Sequence, residues 1–237
     1  KTSHRKPPEN LEKEDIDIFQ HERKRQIKAS YIFYEKSIYS FGSLIVSLRK
    51  LKYFQDYSFF GDKTFFERIK RIIKSFLYSS KEIIELERGT WFTDNKSHVY
   101  FHWLFDALER ADIVSDYQTE YPLLVPEEYF DQPFVSESLE HLNYNYIVLK
   151  KNKIYKINDL LITSKTALTG NYNELILSNL VNKFKQNAKP INTKKFKNIF
   201  IYRDPLIGRS IYNFDDVKRV LSNYNYEIVA LEDYSFS

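Results

Sequence analysis

Residues 82–126 read EIIELERGTWFTDNKSHVYFHWLFDALERADIVSDYQTEYPLLVP, and this stretch decides the fold. It opens on a strand-like run, Glu82 to Glu87, passes to a helix from about Ser97 to Val114, and closes on a second strand, Tyr121 to Val125. Pro126 ends that strand, because proline has no N–H to give a sheet ladder. Strands alternating with a helix in this order argue for an α/β architecture.

The alternation continues downstream. A helix is expected over Val135 to Leu142, strands over Tyr146 to Leu149 and Leu160 to Thr163, and an amphipathic helix over Asn173 to Phe184. Beyond the polar stretch Lys185 to Lys195 come a strand at Asn198 to Tyr202, a helix at Phe214 to Leu221 and a strand at Tyr226 to Leu231. Upstream, Ser30 to Ser47 holds two short strand-like runs separated by Glu35-Lys36 and Gly42, and Ile69, Ile72, Ile73 and Leu77 stand at helical spacing. The expected class is α/β with largely parallel sheets. No internal repeat is visible. The polar break at Gln186 to Lys195, which contains Pro190, marks the best domain boundary. This gives a charged N-terminal arm over 1–30 that leads into a polar helix, an α/β domain over 31–190 and the start of a second domain over 191–237.

Composition narrows the function classes. A chain of 237 residues with 43% hydrophobic content buries a sizeable core, and 17% aromatics against 5 Gly excludes a low-complexity character. With no Cys there is neither a disulfide scaffold nor a thiolate metal site, so the cytoplasm is the default location. No apolar run reaches the roughly 20 residues that span a bilayer; Tyr39 to Leu48 is interrupted by Ser and Gly. Lys1 to Pro8 lacks the apolar core of a signal peptide. The 36 basic and 32 acidic residues are interleaved, and only Arg23-Lys24-Arg25 and Lys194-Lys195 form dense clusters, so no nucleic-acid partner is expected. Peripheral attraction to an anionic membrane surface stays open. The chain contains no Met and stops at Tyr234-Ser235-Phe236-Ser237 just after an apparent strand, which points to an incomplete chain. Modified methionines left out of the sequence would give the same picture.

The helix of the opening stretch carries the chemistry. At ~100° per residue, Tyr100, Trp103, Leu104, Ala107, Leu108 and Ala111 cover one broad face, and His98, His102, Asp106 and Glu109 form a narrow stripe opposite. Three readings compete. The stripe is a solvated face with a weak i,i+4 contact; or His98, His102 and Asp106 bind zinc, although the HExxH order is absent; or His102 and Asp106 handle a proton at a cleft.

The string His102-Trp103-Leu104-Phe105-Asp106-Ala107-Leu108-Glu109-Arg110 resembles the signature of glycosyltransferase family 61, an Asn-x-x-His-x-x-x-Asp pattern followed by Leu-Pro-Arg. His102, Asp106, Leu108 and Arg110 agree with it; Val99 stands where the family usually has Asn, and Glu109 where Pro is common. A second stretch, Ile199 to Asn213 followed by a helix and a strand ending in Glu232, resembles the family's strand-Arg-(five residues)-Arg-x-x-x-Asn run at Arg203, Arg209 and Asn213. Taken without the resemblance, arginines just past the carboxyl end of a parallel strand suit a diphosphate, and pairing with Asp204, Asp215 or Asp216 is the competing reading.

The resemblance implies a GT-B-like arrangement, with a Rossmann-like N-terminal domain on the acceptor side and the beginning of a second Rossmann-like domain on the donor side. The implied reaction transfers a sugar from a nucleotide-sugar donor to a glycan or lipid-linked glycan hydroxyl, in a bacterial capsular polysaccharide setting at the inner face of the cytoplasmic membrane. His102 and Asp106 are then the catalytic candidates, and Arg203, Arg209, Asn213 and Arg110 bind substrate or its phosphates. No metal and no cofactor is expected, and the one DxD, Asp15-Ile16-Asp17, lies in the charged arm. Two other classes remain as alternatives, a non-catalytic glycan-binding or assembly module and a metal-dependent hydrolase using His98, His102 and Asp106.

Overall fold

The computed structural model describes residues 2–4, 9–17, 24–26, 29–50, 52–54, 70, 73, 82–167, 172–188, 198–202, 211–230 and 233–234. The helical pattern over Phe65 to Leu77 lies outside the described residues except at Lys70 and Ile73. Two compact units divide the chain, Lys1–Gln186 and Asn187–Ser237, and each is described by itself.

The first unit begins with two short strands, β1 (Thr2–His4) and β2 (Lys24–Gln26), paired antiparallel, with a 3-10 turn at Lys13–Asp15 between them. The charged N-terminal residues carry this strand pairing, and Ile16 and Asp17 open a helical segment after the 3-10 turn. A hairpin follows, β3 (Ile32–Phe41) and β4 (Leu44–Ser47), and β4 pairs with β5 (Lys52–Tyr53). Gly42 turns the hairpin with φ +61°, a conformation that costs glycine nothing. The expected break at Glu35-Lys36 is absent. Those two residues sit opposite Leu160 and Asp159 within one continuous ten-residue strand.

Four parallel strands continue the sheet: β6 (Ile83–Trp91), β7 (Leu123–Pro126), β8 (Tyr146–Leu149) and β9 (Ile154–Thr163). The sheet order is β5-β4-β3-β9-β6-β7-β8, with β3 antiparallel to β9, so a parallel half joins an antiparallel half along one edge. The class is mixed α/β.

Between β6 and β7 runs the helical segment α1, residues 100–112. It consists of an α-turn at Tyr100–His102, a π-helical stretch at Trp103–Ala107 and an α-helical end at Leu108–Asp112. α2 (Pro133–His141) starts on proline, whose missing N–H costs nothing in a first turn, and α3 (Glu174–Asn187) follows β9. Alternation along β7 separates two cores. Leu123 and Val125 pack with Trp103, Ala107, Leu108 and Leu139 under the helices, and Leu124 packs on the other face with Trp91, Ile157, Leu160 and Ile162.

Among the described residues the second unit forms a β-α-β unit: β10 (Asn198–Tyr202), α4 (Phe214–Asn223) and β11 (Tyr226–Ala230), with β10 and β11 parallel over five residue pairs. Tyr202 and Phe214 stack at 4.1 Å, which pins the start of α4 to the end of β10. Asp215 and Asp216 occupy the first turn of α4, where the helix dipole favours acids.

Candidate active site

β6 and β9 are neighbours with Trp91 beside Ile162, so the turn after β6 and the residues after β9 leave the sheet side by side. The carboxyl ends of parallel strands are where α/β sheets assemble sites. In the β6 turn, Asp94 Oδ1 accepts the Lys96 N–H at 2.9 Å, and Ser97 Oγ accepts the Asp94 N–H at 2.9 Å. Such a side-chain turn is the local work of Asp and Ser. Tyr129 adds a hydroxyl bond to the Asp94 carbonyl at 2.8 Å, which leaves the Asp94 carboxylate buried and fixed.

α1 enters from this turn. Its main chain changes register at the π stretch, where the Leu108 N–H reaches the Trp103 carbonyl five residues back. One extra residue in a turn rotates the downstream side chains by about 100° relative to a regular helix. This corrects the expected polar stripe. His98 is exposed, His102 is partly covered, Asp106 is buried, and Glu109 and Arg110 are fully enclosed. π stretches of this kind recur at functional sites because they aim side chains a regular helix would not.

His102 Nδ1 lies 2.6 Å from Asp106 Oδ2, and the two side chains keep 18% and 8% of their surface. With a carboxylate as partner, Nδ1 carries the proton and donates, and Nε2 is left as the base. Phe101 stands edge-on to the imidazole at 5.5 Å and stacks on Phe105 at 4.8 Å, and Phe105 meets Tyr172 at 6.1 Å. An aromatic wall therefore runs beside the histidine.

Arg110 is enclosed among backbone and acid. Its Nε and Nη2 donate to Thr163 Oγ1 at 3.3 Å and to the Thr163 carbonyl at 2.9 Å, and Nη1 lies 3.6 Å from Asp94 Oδ2. Lys165 approaches the same Asp94 oxygen at 3.8 Å from the solvent side. Arg110 thus ties α1 to both strand ends. Glu109 accepts from Thr166 Oγ1 at 2.5 Å and from the Asn173 N–H at 3.1 and 3.2 Å. Burial pushes its carboxyl up to about 7, with Asp106 and Asp112 adding repulsion and the two hydrogen bonds opposing.

Of the expected site residues, His102, Asp106 and Arg110 share one helix of the first unit. Arg203 and Arg209 lie outside the described residues, and Asn213 precedes α4 in the second unit, where its carbonyl accepts the N–H groups of Asp216 and Val217. Sequence reasoning passed over Asp94, Thr163, Lys165 and Thr166. A residue signal for Asp94 existed in the Asp94-Asn95-Lys96-Ser97 turn just after a strand; the others are ordinary residues given meaning by contacts more than 50 positions away. Among the described residues no three His, Asp or Glu side chains converge as metal ligands, so the His98, His102 and Asp106 triad has no geometric counterpart. A shallow depression lined by Leu86, Glu87, Arg88, Glu120, Pro122 and Ile147 holds none of the groups above.

A family model described as Glycosyltransferase 61 matches residues 100–237, more than half of the chain, and its first residue is the first residue of α1. The chain belongs to the glycosyltransferase 61 family. No curated protein and no solved structure matches it. Membership makes this chain a glycosyltransferase at the coarse level, and the matched region takes in both α1 and the β-α-β unit of the second part of this family 61 chain.

Proposed function

We propose that this glycosyltransferase moves a sugar from a nucleotide-sugar donor to a glycan or lipid-linked glycan hydroxyl in polysaccharide assembly. His102 is its general base and Asp106 orients that base. The single observation that supports this reading is the 2.6 Å contact between His102 Nδ1, at the end of the α-turn, and Asp106 Oδ2 in the π-helical stretch that follows. In the proposed step the acceptor hydroxyl gives its proton to His102 Nε2 while its oxygen bonds the donor's anomeric carbon. The bond from that carbon to the diphosphate oxygen breaks, and the nucleoside diphosphate leaves with the electron pair.

The GT-B arrangement belongs to the same reading. The first unit takes the acceptor and the second begins the donor side, with Arg203 and Arg209 neutralising the departing diphosphate and Asn213 beside them. Arg110, also expected to meet phosphate, is here assigned to holding Asp94 and Thr163, since its guanidinium is enclosed by them. A capsular setting and a location at the inner face of the cytoplasmic membrane fit a membrane-bound acceptor; no helix among the described residues is long and apolar enough to cross a membrane.

The test is transfer from a panel of nucleotide-sugars by full-length protein, wild type against His102→Gln. Loss of transfer with donor binding retained supports the base assignment; unchanged transfer overturns it. Nucleoside diphosphate binding by Arg203→Ala and Arg209→Ala variants tests the donor side. Binding equal to wild type removes those residues from the site.

A further inference from the structure

Glu109 is the one fully buried carboxylate in α1 that the proposed reaction does not use. Its partners are specific. Thr166 lies three residues past β9, and Asn173 immediately precedes α3, so the two oxygens of one carboxylate hold both ends of the β9-to-α3 connection. The Asn173 side chain accepts the Leu175 N–H at 3.2 Å and its carbonyl accepts the Leu177 N–H at 2.8 Å, which makes Asn173 the cap of α3. A carboxylate on that cap's own N–H sits at the positive end of a fourteen-residue helix, a favourable place for negative charge.

The cargo of this connection bears on the site. Lys165, beside Thr166, reaches Asp94, and Tyr172, beside Asn173, meets Phe105 in the aromatic wall that stands against His102. We infer that Glu109 is a positioning residue, whose carboxylate fixes Tyr172 and Lys165 around the His102 and Asp106 pair by clamping Thr166 and Asn173. This rests on the reading of His102 and Asp106 as the reacting pair.

Two readouts separate the clamp from the reaction. The first is amide hydrogen exchange at Asn173 in full-length protein. Glu109→Ala is expected to speed exchange there by about tenfold or more, in line with losing a hydrogen bond to a charged group, and Glu109→Gln, which keeps an acceptor, to restore most of the protection. Thr166→Val removes one tie from the opposite side at constant shape and covers the case in which Glu109→Ala does not fold; it is expected to give an intermediate rise. Unchanged exchange in Glu109→Ala, or in Thr166→Val if that variant alone folds, overturns the clamp. The second readout is steady-state transfer, where Glu109→Ala lowers kcat by about tenfold or more with donor KM unchanged, and Glu109→Gln recovers kcat. Faster exchange with unaltered kcat overturns the positioning role. Absence of transfer by wild type instead overturns the sugar-transfer reading, and the exchange result then still decides the clamp.

Discussion

Arg110 on α1 donates from Nη2 to the carbonyl oxygen of Thr163 at 2.9 Å, joining the helix of His102 and Asp106 to the last residue of β9. The same guanidinium lies 3.6 Å from Asp94 past the end of β6, so one side chain spans three elements. Removing it leaves the Asp94 carboxylate buried, with Lys165 at 3.8 Å as its remaining cation. Breaking a buried pair in this way costs about 3–5 kcal/mol, and Arg110→Ala is expected to lose that much in urea unfolding. Arg110→Lys recovers little, because an ammonium cannot reproduce the fork that meets Thr163 and Asp94 together. A loss under 1 kcal/mol for Arg110→Ala, on the scale of an exposed ion pair, argues that the bridge is not formed.

Asp106 fixes which nitrogen of His102 carries the proton. In Asp106→Asn the amide can present its NH2 to Nδ1, which favours the tautomer with the proton on Nε2 and removes the base. Transfer is expected to fall by about 10² to 10⁴ in kcat, with little change in acceptor KM, measured at saturating donor. A fall confined to KM sinks the orienting role and leaves Asp106 as a binding group.

Gly89 on β6 sets how closely β7 packs. A Cβ there would lie 2.6 Å from Leu124 Cδ1, 2.7 Å from Cγ and 2.8 Å from Cδ2, and Leu124 is fully buried. Gly89→Ala is expected to destabilise by about 1–3 kcal/mol through overpacking. The Gly89→Ala, Leu124→Ala double variant then loses less than the sum of the two single losses, because the shortened side chain relieves the clash. Strict additivity in thermal or urea unfolding contradicts the contact.

Local pattern is enough for Tyr146–Leu149 and Asn198–Tyr202, short apolar runs bounded by polar residues, which form strands with those limits. It fails for β3, because Glu35 and Lys36 look like a break and yet continue the strand, Lys36 exposed and Glu35 largely covered and paired with Lys50 at 2.5 Å. The antiparallel half of the sheet depends on β3 meeting β9 more than 110 residues away, a pairing that no local window encodes. At the site, His102 and Asp106 are legible from their i,i+4 spacing. The burial of Glu109 and Arg110 is not, since an ideal helix wheel assumes 3.6 residues per turn and the π stretch breaks that assumption. Their partners, Thr163, Thr166 and Asn173, are polar residues of types found on any surface, and only the fold brings them to the helix.

The raised carboxyl of Glu109 turns its burial into a pH dependence. A group held at about 7 in the folded chain against an ordinary 4.5 binds its proton more tightly folded than unfolded. Stability from this group is therefore complete below pH ~4.5, declines as pH rises toward about 7 and is flat above, with a total on the order of 3 kcal/mol at ~1.4 kcal/mol per unit. The neighbours that bear on it are Asp106 and Asp112 on α1, and Lys183 of α3 engages Asp112 at 2.6 Å, which limits that acid's repulsion. Glu109→Gln keeps the acceptor and cannot ionise, so the variant loses this component of the slope. Urea unfolding of both proteins at pH 5 and pH 8 checks the sign: wild type is expected to lose more stability between them than Glu109→Gln, so that the variant gains on wild type at the higher pH. Parallel losses mean that the Glu109 carboxyl ionises within the folded chain as easily as in water, and its enclosure by Thr166, Asn173 and the strand ends would then not be dry.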